Sequence, residues 1–125
     1  MANCKLASID LSAARNELHD LLDLSGAEIS VNLLPAGVSV PFVHAHKQNE
    51  EIYLVLEGAG KLYVDGDETT LKAGDCFRID PEAERCIIAA ADSPIRFICV
   101  QVKAGSLEGF TMSDATLSDK KPSWL

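Results

Sequence analysis

The residues best suited to chemistry stand together in "PFVHAHKQNEEIYLVLEG", positions 41 to 58. His44 and His46 are separated by one residue, and Glu50 and Glu51 follow a short polar stretch. In a strand alternate side chains share a face, so Val40, Phe42, His44 and His46 lie on one side, with the two imidazoles roughly 6 to 7 Å apart at their backbones. "KQNE" predicts a turn. The returning strand then carries Glu51, Tyr53 and Val55 on one face and brings Glu51 beside His46. Two neutral imidazoles and one carboxylate form a three-ligand donor set that leaves open positions on one divalent ion: iron, manganese, nickel or zinc. An isolated H-x-H pair reads better as two polar residues near a strand end. The returning glutamate tips the reading to metal, because three ligands then converge.

The elements that must position these side chains are mostly short and β-rich. From residue 27 the segments "AEISVNLL", "VSVPFVHAH", "EIYLVLEG", "KLYVDG", "ETTLKAGD", "CFRID", "RCIIAA" and "IRFICVQV" alternate with turn residues. "VDGD" carries an Asp-Gly hairpin turn, and "PAG" and "KAGD" mark two more. Eight short strands without intervening helices predict an antiparallel sandwich or barrel. Before them, residues 11 to 24 place Leu11, Ala14, Leu18, Leu21 and Leu22 on one helical face, with Gly26 as the stop. His19 lies off that stripe and reads as a solvated surface residue. After residue 104 the alternation is lost. The division is therefore a 1–26 segment with a short helix, a 27–104 barrel and a 105–125 irregular tail. That tail is expected to pack on the barrel through Phe110, Met112 and Trp124, giving one domain in all.

With 125 residues, 47% hydrophobic and 24% charged, the chain has the composition of a globular domain. A net charge of −8, with the basic residues scattered, argues against nucleic acid, whose phosphates need clustered Lys and Arg. The apolar runs are too short to span a bilayer, and the N-terminus lacks the pattern of a secretory signal, so a cytoplasmic location is expected. Cys4, Cys76, Cys86 and Cys99 show no metal-site spacing and read as reduced, buried small hydrophobes.

His44-Ala45-His46, four residues, Glu51, six residues and Gly58 resemble the first motif of the cupin superfamily, whose small β-barrels bind a metal there through two histidines and a glutamate. The resemblance implies a cupin barrel of jelly-roll type with His44, His46 and Glu51 as ligands. Glu50 fits a looser spacing, but Glu51 stands six residues before Gly58 and shares the parity of Tyr53. The leading glycine is displaced by one, since Gly37 lies six residues before His44. The second cupin motif, set on Gly74, is largely absent: Asp80 replaces its proline, Glu82 its glycine, Arg85 its last ligand histidine and Ala89 its asparagine. The resemblance spans about residues 33 to 102.

A guanidinium cannot coordinate a cation, so the alignment implies three protein ligands rather than four. An inward Arg85 could hold the carboxylate or phosphate of a substrate, or it could pair with Glu51 or Glu82 and fill the missing ligand's space. The implied pocket is lined by Val40, Phe42, Tyr53, Phe77 and Arg85 around the ligands, with Arg85, Tyr53 and Phe42 as ligand-binding residues. Ile52, Leu54, Leu56, Ile98, Val100 and Val102 leave two strands apolar on their outer face, which implies a homodimer. The resemblance does not choose a reaction. A metal-dependent oxygenase or isomerase for an anionic small molecule and a metal-free binding or sensing module both fit, as does a remnant site in which only the dimer surface functions.

Overall fold

A computed structural model describes residues 1–125. Its elements are β1 (Arg15–Glu17), α1 (His19–Leu22), β2 (Glu28–Leu34), β3 (Asn49–Val64), β4 (Asp67–Lys72), β5 (Cys76–Ile79), β6 (Arg85–Ala89) and β7 (Ile95–Lys103), followed by a single 3-10 turn at Thr111–Ser113. All strand pairs are antiparallel, in the order β1-β2-β7-β3-β4, with β5 and β6 also paired to β3. The chain is an all-β antiparallel barrel, one of the two architectures its strand pattern allows and the one the cupin resemblance implies.

β3 unites two of the predicted segments in one strand of 16 residues. Its first half pairs with β5 and β7, and its second half with β4 and β6. The bend between the halves is built from a register slip between Val55 and Glu57 and from two glycines. Gly58 has φ +82°, and a Cβ there would lie 1.8 Å from the Pro94 carbonyl oxygen. A Cβ on Gly60 would lie 2.3 Å from the Ile88 carbonyl oxygen. Alternation along β3 buries Tyr53 and Val55 with Leu62, Ile87, Ile95 and Phe97 in the core, while Ile52, Leu54 and Leu56 remain 37%, 40% and 40% exposed.

Two segments differ from expectation. The 11–24 helix is reduced to the single turn α1, which has no side-chain N-cap and ends on Asp23 in the left-handed region. Arg15–Glu17 instead pairs with the free edge of β2, because a short helix is marginal on its own and an open strand edge offers ready backbone partners. "VSVPFVHAH" forms no continuous strand and pairs with β6 through isolated bridges, Ser39 to Ile88 and His44 to Arg85. Pro41 has no N–H for a continuous ladder.

The tail is irregular, and within the single chain Phe110, Met112 and Trp124 are 66%, 69% and 82% exposed, so they do not anchor it to the barrel. All four cysteines are free, but only Cys99 is buried. Cys76 pairs with Leu54 on the outer face, which exposes it despite its strand. No helix is long and apolar enough to cross a membrane.

Candidate functional site

The 39–46 segment closes over β2, β3, β6 and β7 to leave a cavity of about 490 Å³. His44 enters it from that segment, held opposite Arg85 by backbone hydrogen bonds from His44 N to Arg85 O (3.2 Å) and from Arg85 N to His44 O (2.9 Å). His46 is fixed by its own N–H to the Pro81 carbonyl at 2.7 Å. Glu51, 5% exposed, projects from β3 between Gln101 of β7 and Ile79 of β5.

The three side chains converge. His46 Nε2 lies 3.4 Å from Glu51 Oε2 and His44 Nε2 lies 3.9 Å from Glu51 Oε1, and one donor atom from each residue falls within 4.8 Å of the others. His46 Nε2 is buried without a hydrogen-bond partner, a state that a shared cation would relieve. His44 Nδ1 is likewise unpartnered. Burial lowers the pKa of His44 and so favours the neutral imidazole that ligates metal. The residues therefore fit one borderline divalent ion.

Glu51 is oriented by two neutral donors. Tyr53 Oη donates to Oε1 at 2.9 Å and Cys99 Sγ to Oε2 at 3.2 Å. Burial raises the pKa of the Tyr53 phenol, and burial followed by the Glu51 charge pushes the Cys99 thiol up to about 12, so both keep their protons. Tyr53 is backed by Phe77, stacked at 4.9 Å. Phe77 thus supports the pocket from behind and is not part of its lining.

Arg85 is 1% exposed and lines the cavity. Its Nη2 donates to the Asp80 carbonyl at 2.7 Å, and its Nη1 stands 3.4 Å from Glu51 Oε1. Neither Nη1 nor Nε has a hydrogen-bond partner. Glu82 is exposed and forms no ion pair with it. Phe42, 60% exposed, sits at the mouth with its ring edge-on to His44 at 5.6 Å. Cys99, Ser30, Asn32 and Arg15 also line the cavity and escape the sequence reading. In "EISVNLL" alternation assigns the apolar residues inward, whereas the strand turns its polar set to the cavity.

The family model described as "Cupin domain" matches residues 30–101. A cupin protein from Bacteroides fragilis is similar over 94% of this chain and 99% of its own, with 57% identity and a TM-score of 0.90. A sugar phosphate isomerase of the cupin superfamily from Silicibacter pomeroyi is similar over 73% of this chain and 60% of its own, with 25% identity and a TM-score of 0.63. An uncharacterized protein of Methanocaldococcus jannaschii is 33% identical over 67 residues, 54% of this chain, and the match spans about half of that relative's length, 53%.

Proposed function

Because the chain belongs to the cupin family, we propose that it binds an anionic small molecule at a divalent metal held by His44, His46 and Glu51, in an enzyme of oxygenase or isomerase type. The observation that carries this reading is the convergence of two imidazoles and a carboxylate beside a buried arginine with two unpartnered nitrogens. The ion, when bound, supplies Lewis-acid polarisation of a substrate oxygen or, as iron, chemistry with dioxygen. Tyr53 and Cys99 fix the orientation of Glu51 from behind. Arg85 keeps Nε and Nη1 without hydrogen-bond partners, and each can donate to an oxygen of a carboxylate or phosphate that its fixed charge attracts. Phe42 covers the ligand at the mouth. The sugar phosphate isomerase relative supports a phosphate-bearing or other anionic substrate.

A second reading is favoured by one distance. Arg85 Nη1 at 3.4 Å from Glu51 already supplies positive charge beside the carboxylate, which suits a metal-free binding or sensing module. Elemental analysis of protein purified without an affinity tag separates the two. The metal reading expects about one divalent ion per chain, lost in Glu51→Gln and in His46→Ala and released as the imidazoles protonate. Metal-free protein that takes up no iron, manganese, nickel or zinc at neutral pH would leave the binding module. The outer apolar face supports a homodimer, and the barrel of residues 27–104, with its two flanking segments, acts as a single cytoplasmic domain.

A further inference from the structure

β2 presents Glu28, Ser30, Asn32 and Leu34 to the cavity. Ser30 and Asn32 are 3% and 5% exposed in the middle of the strand, where polar side chains are costly unless hydrogen-bonded. Their bonds form a chain that ends on a charge. Asn32 Nδ2 donates to Ser30 Oγ at 3.0 Å, and Asn32 Oδ1 accepts from Arg15 Nη1 at 2.8 Å. Arg15 stands opposite Asn32 in the β1–β2 register and lines the same cavity. Its Nε donates to Glu17 Oε1 at 2.8 Å on the solvent side, where water screens the pair, and Nη2 is left without a protein partner. Glu28 forms no ion pair with it, and its Oε1 accepts the Leu18 and His19 amides at 3.2 and 3.1 Å.

The cavity therefore has two fixed guanidinium groups. Arg85 lies beside Glu51. Arg15 belongs to a strand three pairings from that of Glu51, on the order of 14 Å at the backbone before curvature. An arginine that served only to satisfy Glu17 would not need a buried asparagine and serine to aim it. Resting on the assignment of Arg85 as an anion anchor, we propose that Arg15, aimed by Asn32 and Ser30, selects an elongated ligand with two anionic ends, one on each arginine. Each end is a carboxylate or a phosphate, groups that share the planar or tripod oxygen pattern a guanidinium recognises. A cavity of about 490 Å³ admits such a molecule.

Titration calorimetry on the full-length protein with succinate, glutarate and adipate, each against the monoacid of equal length, tests the assignment, with 3-phosphonopropionate as the phosphorus-bearing arm. At least one two-ended anion is expected to bind about tenfold more tightly than its single-ended match. Arg15→Ala should erase that preference while leaving the monoacid within about twofold, and Arg15→Lys should restore part of it. Succinate, the dicarboxylate of equal length, exceeding the phosphonate assigns two carboxylates, and the reverse order assigns a phosphate end. A preference that persists in Arg15→Ala, or none in the native protein while monoacids still bind and are lost in Arg85→Lys, overturns the role of Arg15 and leaves that of Arg85 standing. Absence of binding by every anion overturns both.

Discussion

Arg85 takes the place where a neutral ligand would complete a four-membered shell, and its backbone faces that of His44 across an antiparallel bridge. Replacing it with a shorter imidazole removes a cation 3.4 Å from Glu51 and adds a nitrogen donor to the same space. Arg85→His should therefore raise metal affinity by more than about tenfold near neutral pH, as read by competition with a chromophoric chelator. Unchanged affinity would place the side chain outside the coordination sphere. Cys99 offers a separate check, because its thiol is buried and pushed up to about 12, while Cys4 and Cys76 are exposed. Iodoacetamide at pH 8 should label Cys4 and Cys76 and spare Cys99, by mass spectrometry of the native protein. Rapid labelling of Cys99 would mean that β7 opens readily. The three candidate ligands are legible in sequence because the H-x-H spacing, the parity of Glu51 and its distance from Gly58 match the first cupin motif. Cys99 and Asn32 are not, since a cysteine in "IRFICVQV" looks like core filling and an asparagine in "EISVNLL" looks like a solvent-facing residue.

Among the elements, β3 alone belongs to both halves of the barrel, and its bend depends on backbone atoms in close approach at Gly58. Gly58→Ala combines a left-handed φ with a Cβ 1.8 Å from the Pro94 oxygen. A loss of about 3 kcal/mol or more is expected, seen as a fall in Tm on the order of 10 °C. Gly66 has a similar positive φ of +93° in the β3–β4 hairpin but open space around it, so Gly66→Ala should cost only about 1 kcal/mol. Equal losses at the two positions would show that the Pro94 approach is relaxed in solution. The alternation of "EIYLVLEG", "RCIIAA" and "IRFICVQV" makes their strands readable, and the Asp-Gly pair marks the hairpin. Leucine spacing in residues 11 to 24 is misleading because the competing partner, the unpaired edge of β2, comes from elsewhere in the fold. The strand expected across Pro41 fails for a local reason that the proline itself announces.

At the scale of the whole molecule, sheet parity divides the barrel unusually. β2 turns Ser30 and Asn32 inward, so Ile29 and Leu33 join Ile98, Val100, Ile52 and Leu54 on the opposite face. Apolar continuity over three neighbouring strands is the pattern of a subunit contact. Light scattering should give twice the chain mass of 13.4 kDa, and Leu54→Glu should shift the protein toward monomer. A monomer at every accessible concentration would contradict the dimer. The position of β7 between β2 and β3 has a consequence for synthesis. Gln101 is the register partner of both Glu28 and Glu51, so the wall facing the histidines is supplied by β7, the last of the seven strands in chain order. A nascent chain halted before residue 95 carries His44, His46 and Glu51 yet lacks the strand that seals them from water. Such a topology has high contact order, with folding expected in milliseconds to seconds rather than microseconds. Ligand binding should then appear in stopped-flow refolding together with the main β-sheet signal, with no earlier phase, because the pocket is closed by the same pairing that completes the sheet.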